Sequence, residues 1–218
     1  MPRRLDHLVI CVHDLQQAAL DWQKLGFTLT PTGVHPFGTS NRLAQFSDNF
    51  LELLAVTDDA LVPAAAPGRF SFAAHHRDFL GRSEGMSMLA LHSTDAHADA
   101  ARFAARRIGA YAPFDFGRDA VLPAGGTARV EFSLAFATDP AMPGIAFFTC
   151  EQRHPPELFW KPDYQRHAHG ATASPAIESR CSVLRNCHGD CRASRMKPHH
   201  ASARRGLPSP ISMRRDAY

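Results

Sequence analysis

The fold is decided by LDHLVICVHDLQQAALDWQKLGF (residues 5–27), continued by HPFGTSNRLAQF (residues 35–46) and NFLELLAV (residues 49–56). Residues 5–12 alternate, with His7, Val9 and Cys11 on one side and Leu8, Ile10 and Val12 on the other. Both sides are apolar, so this strand is expected to be covered on both. Asp14 stands at an N-cap with Gln17 three residues on, a capping-box spacing. Leu15, Ala18, Trp22 and Leu25 give the helix an apolar face, and Gly26 stops it. Phe27–Thr32, Asn41–Ser47 and Phe50–Val56 read as three further strands, with a tight turn at Asp48-Asn49.

The same order returns downstream. Met86–Leu91 reads as a strand. Asp95 caps a second helix, with Ala98, Ala101, Ala105 and Ile108 as its apolar face and Gly109 as its stop. Tyr111–Phe116, Ala128–Ala137 and Ile145–Cys150 read as strands. The chain therefore contains two βαβββ units, at 4–57 and 85–152, joined by an Ala/Pro-rich linker and a short helix at 70–80. An aromatic strap at 153–170 carries Phe159, Trp160 and Tyr164, which are expected to pack back on the body.

Charge is unevenly spread. Residues 1–170 carry 15 Lys/Arg against 18 Asp/Glu, and residues 171–218 carry 9 against 3. The body is thus mildly acidic and offers no nucleic-acid surface. No transmembrane run or signal peptide is found, and the five cysteines suggest no disulfide framework. The expectation is a cytoplasmic protein without membrane partners. The tail, 171–218, has no periodicity and reads as disordered. Its Cys181, Cys187, His188 and Cys191 match no standard zinc spacing. Its Arg/Ser/Pro/His text resembles a GC-rich gene read out of frame, which places the end of the native frame near Gly170 or Ala171.

The repeated units, the opening run and the LEL strand resemble the vicinal oxygen chelate superfamily, and within it the glyoxalase-like domain proteins, over about residues 4–170. The resemblance implies an α+β fold in which two βαβββ units form a curved, cup-shaped mixed sheet with helices outside. It also implies a small-molecule substrate with adjacent oxygens, and allows a homodimer. The family holds a divalent metal in the cup with ligands from the first and fourth strands of each unit. Carried over, these are His7 and Glu52, for Ni, Zn, Mn or Fe. In the second unit Met88 falls opposite His7, and Phe147 or Phe148 falls near the Glu52 position, so the four-ligand set is incomplete. Glu151 and His154 lie further along.

Each candidate has a plain alternative. Glu52 either serves as catalytic base and metal ligand, or is a surface carboxylate or the partner of an arginine such as Arg42. His7 is a ligand or a hydrogen-bonded core histidine. In the His35–Asn41 loop, His35 reads as an acid or base and Thr39 and Asn41 as substrate contacts, or all are turn residues. Trp160 lines the open side of the cup or packs in the core. His75 and His76 read as solvated, and His92 and His97 as structural. Three functions follow: a glyoxalase-like lyase or isomerase, a non-catalytic antibiotic-sequestering binder, or a metal-dependent dioxygenase.

Overall fold

The structure is a computed structural model that describes residues 3–64 and 66–173. The tail with its cysteine–histidine cluster, from residue 174 on, lies outside the described residues.

The first half comprises β1 (Leu5–Cys11), α1 (Leu15–Lys24), β2 (Gly33–Val34), β3 (Thr39–Gln45) and β4 (Phe50–Val56). The linker helix is α2 (Phe72–Leu80). The second half comprises β5 (Gly85–His92), α3 (Ala96–Ala105), β6 (Phe114–Val121), β7 (Thr127–Thr138) and β8 (Ala146–Gln152). The strap forms one short turn of helix, α4 (Pro156–Phe159), and a 3₁₀ turn at Pro162–Tyr164. All eight strands form one sheet in the order β2-β3-β4-β1-β5-β8-β7-β6. In each half the first and last strands pair in parallel, β1 with β4 and β5 with β8, and the halves join through the antiparallel pair β1–β5.

Capping follows the expected chemistry. Asp14 accepts from the Gln17 amide at 2.9 Å, and Asp95 accepts from the Ala98 amide at 2.8 Å. Only half of the capping box forms, because the Gln17 side chain donates to Asp21 instead. Gly26, at φ +94°, takes the left-handed turn after α1. After α3 the left-handed residue is Arg107, not Gly109. Gly109 is needed for closeness instead, since a Cβ there would lie 2.5 Å from the Phe136 carbonyl.

Several expectations shift. Residues 27–32 are not a strand. Pro31 lacks a donor, and the Thr30 hydroxyl accepts from the Leu43 amide at 2.9 Å, so the second strand shrinks to Gly33–Val34. Leu25 is exposed rather than part of the α1 face. The buried face of α3 is Ala96, Asp99, Ala100 and Phe103, not Ala98, Ala101 and Ala105. A carboxylate can sit there because Arg3, Arg102 and Ser93 all bond to Asp99.

The core divides at the sheet. On the convex side, α1 covers Val12, Leu29, Leu53 and Ala55, and α3 covers Leu8, Leu89, Leu91 and Phe147. On the concave side lie Val9, Cys11, Leu54, Met88, Phe136 and Phe148. The linker helix α2 packs into this concave cluster through Phe72, Ala73 and Phe79. His76 is consequently buried outright rather than solvated, with Nδ1 on the Phe72 carbonyl at 2.8 Å.

Burial pushes His76 down to about pH 3 for protonation, with a smaller contribution from His75. The unfolded imidazole takes its proton below about pH 6.5, so the stability this group confers is complete above that pH. It is lost as pH falls toward 3, by up to about 1.4 kcal/mol per unit. We expect the urea midpoint to fall less between pH 7 and 4.5 in His76→Leu than in the wild type. Equal acid losses in the two proteins would show that His76 does not carry this dependence.

Candidate functional site

The pairing of β1 with β4 creates the site. Val9 stands opposite Glu52 in the parallel register, and alternation turns both His7 and Glu52 to the concave side. His7 Nε2 lies 3.5 Å from Glu52 Oε2, and both residues are about 5% exposed. The imidazole stacks on Phe50 at 4.3 Å and meets the edge of Phe148 at 5.2 Å.

A bulge supplies the next group. The β1–β5 register shifts between Leu5 and His7, which leaves Asp6 as the extra residue. Strict alternation would point Asp6 away from His7. Here its Oδ1 lies 2.6 Å from His7 Nδ1, and its Oδ2 accepts from Gln152 Nε2 at 3.3 Å. The buried carboxylate holds the Nδ1–H tautomer, which directs Nε2 at Glu52.

On the other side of Glu52, Asn41 Nδ2 donates to Oε1 at 2.5 Å and lies 3.3 Å from His35 Nε2. His35 Nδ1 is 2.8 Å from the Thr39 hydroxyl. Burial, Arg118 and His76 hold His35 well below its ordinary protonation range, so it is a neutral imidazole. A neutral ring that accepts at Nε2 donates at Nδ1, which agrees with both contacts. Asn41 cannot be turned over without setting its carbonyl against the carboxylate. A continuous polar chain thus runs Thr39–His35–Asn41–Glu52–His7–Asp6–Gln152, across four strands of the sheet and the loop after β2.

The partly open cavity measures about 40 Å³, room for a few water-sized groups. Phe37, Phe50, Phe72, Phe116, Phe132, Phe148 and Phe159 wall it, and Arg118 and Cys150 also line it. The Cys150 thiol is pushed well up, first by burial and then by Asp6 and Glu52, and stays protonated.

The expected residues distribute unevenly. His7, His35, Asn41 and Glu52 line the cavity, and Thr39 sits behind His35. Trp160 does not line it. Its neighbour Phe159 does, and Trp160 packs on Phe50 and Phe159 beside a separate surface depression. Arg42 is not the partner of Glu52, since its Nε donates to the Thr30 carbonyl. In the second half, Met88 and Phe148 occupy the concave positions that His7 and Glu52 hold in the first. Glu151 accepts from the Ala96 amide at the start of α3, and His154 rests on the Glu131 backbone. Neither completes a ligand set. Asp6 and Arg118 were not anticipated. Both left a signal: a charge inside the first apolar strand, and the alternation Phe114, Phe116, Arg118 on β6.

Comparison with known proteins agrees with this architecture. A hypothetical protein from Staphylococcus aureus matches over 71% of this chain and 60% of its own, at 17% identity and a TM-score of 0.54, and shares the fold. Methylmalonyl-CoA epimerase from Mycobacterium tuberculosis matches at 21% identity over 67% of this chain and 86% of its own, with a TM-score of 0.43. A Streptomyces coelicolor methylmalonyl-CoA epimerase in complex with 2-nitronate-propionyl-CoA matches at 17% identity over 70% and 96%, with a TM-score of 0.45. No curated protein sequence matches the chain. The family model for the glyoxalase-like domain matches residues 5–179. The chain belongs to the glyoxalase-like domain family, within the vicinal oxygen chelate superfamily.

Proposed function

We propose that the cup binds a small molecule with adjacent oxygens and that Glu52 moves a proton on it. The observation that carries this reading is the posture of Glu52. It is a buried carboxylate with one oxygen fixed by Asn41 and the other turned to His7 and the cavity. Such a group in an apolar, water-poor site is a strong candidate for a base. Glu52 takes the proton from a carbon next to a carbonyl or carboxyl group. The C–H electron pair moves onto the neighbouring oxygen, in the field of Arg118. His7, aligned by Asp6, accepts the proton from Glu52 and returns it. His35 is a positioning residue: neutral, with both nitrogens engaged, it orients Asn41 rather than exchanging protons.

Glu52 and His7 share one wall, and their counterparts Met88 and Phe148 cannot transfer protons. This favours removal and return of the proton on one face of the ligand over inversion between two bases.

A resident divalent metal does not fit these residues. His7 Nε2 and Glu52 Oε2 are spaced as two ligands could be, but among the described residues no group of three His, Cys, Asp or Glu side chains converges. The Asn41 amide already answers the carboxylate. A dioxygenase site of two histidines and a glutamate does not form either, because His35, though it lines the cavity, has both ring nitrogens engaged by Asn41 and Thr39 and does not converge with His7 and Glu52. The second reading, a binder without chemistry, is favoured by the seven phenylalanines around the cavity.

Two measurements test the proposal. Wild-type protein incubated in D₂O with a panel of 2-oxo and 2-hydroxy compounds should wash deuterium into one of them. Glu52→Gln should slow this by about a hundredfold or more. Exchange that survives in Glu52→Gln sinks the base assignment, and saturable binding without exchange in the wild type favours the binder. Separately, Ni, Zn, Mn or Fe added to metal-stripped protein should leave Tm unchanged. A stabilisation that disappears in His7→Ala would establish a metal site.

A further inference from the structure

Arg118 lines the cavity with most of its donors unused among the described residues. It follows Phe114 and Phe116 on one face of β6, the edge strand that approaches β2 and nearly closes the sheet. It is 7% exposed. Among the described residues its hydrogen bond is a long one, from Nη1 to the Asp119 carbonyl at 3.3 Å, and its buried Nε has no partner. No carboxylate of the described residues lies within 4 Å of the guanidinium, and Glu52 acts on it only through space. A guanidinium carries five N–H donors and does not give up its charge. The distant Glu52 offsets the charge but leaves the donors without an acceptor.

The surroundings hold the group in place. A Cβ on Gly33 would stand 2.7 Å from Arg118 Cζ and Nη1, and 2.6 Å from Asn41 Oδ1. The guanidinium therefore occupies space that glycine leaves open. Asn41 Oδ1 is itself buried without a hydrogen bond. The cavity thus presents unused cationic donors and an unused acceptor close together, across from a carboxylate base.

We propose that Arg118 anchors the carboxylate of a short 2-hydroxy acid, whose hydroxyl donates to Asn41 Oδ1. This deepens the reading of Glu52 as the proton-transfer base. The planar fork of a guanidinium matches a carboxylate with two parallel hydrogen bonds. A phosphate dianion would set a second negative charge near Glu52, in a cavity of about 40 Å³ with phenyl walls. The hydrogen within reach of Glu52 is then the one on C2. Its removal sends the C–H electron pair onto the carboxylate oxygens, where Arg118 meets the added charge.

Calorimetric titration with glycolate, lactate and 2-hydroxybutyrate, each paired with its amide, tests the anchor directly. At least one acid should bind, about tenfold or more tighter than its amide. Arg118→Met should weaken it by a similar factor, and Arg118→Lys less. Gly33→Ala, which keeps the charge but crowds the guanidinium, should also weaken it. The urea midpoint reports whether Arg118→Met folds, and Gly33→Ala decides if it does not. Binding of none of the acids, equal binding of acid and amide, tighter binding of inorganic phosphate, or full affinity in both variants would overturn the assignment. Glu52→Gln separates the two readings. It should retain the acid while losing C2 exchange. Retained binding with retained exchange removes the base and leaves the anchor, whereas Glu52-dependent exchange of another compound of the panel in a wild type that binds none of the acids removes the anchor alone.

Discussion

A carboxylate in the wall of an apolar cup must be answered by donors, and the polar architecture of this protein follows from answering Glu52. An unpaired buried charge costs several kcal/mol. Asn41 meets one oxygen at 2.5 Å, a hydrogen bond to a charged group and so worth about 1.5–3 kcal/mol. His7 turns Nε2, an acceptor in its Nδ1–H tautomer, toward the other oxygen at 3.5 Å, so the charge there is met by Arg118 through space. Each partner is in turn held. His35 and Thr39 orient Asn41, and Asp6 and Gln152 orient His7. Low surrounding polarity strengthens every one of these contacts, and makes each missing one expensive.

The two halves of the sheet share a path but divide the labour. Parallel pairing of first and last strands repeats in both, and so does the N-cap aspartate. The first half turns His7 and Glu52 into the cup. The second turns Met88 and Phe148 to the same depth, with Cys150 kept as a neutral thiol. One wall carries the ionisable pair, and the other is apolar. The second half adds to the polar site at the seam, where Gln152 donates to Asp6, and at its far edge, where Arg118 reaches across to Gly33 and Asn41.

One irregularity brings Asp6 and His7 together. Two neighbouring residues of a regular strand face opposite ways, so Asp6 and His7 would not meet. The extra residue in β1 breaks that alternation within the seam that joins the halves. The point of greatest structural importance is thus also where the imidazole is oriented.

Much of this was legible in residues 5–56 and their downstream copy. Cap, helical period and stop identified α1, and alternation placed His7 with Val9 and Cys11 on the face that proved concave, because these signals are local and depend only on chain geometry. Local signals failed where a distant partner decides. Asp99 is buried because Arg3 and Arg102 reach it, which no period predicts. His76 is buried because α2 falls into the cup, and Trp160 yields its place to Phe159 because the strap turns there. The sequence by itself determined the helices, the first, third and fourth strand of each unit and their repeat, missed the bounds of the second strand in both, and offered His7, His35, Asn41 and Glu52 as candidates. Only the tertiary structure joined them with Asp6 and Arg118, since a bulge is a property of two paired strands and a closing edge is a property of the whole sheet.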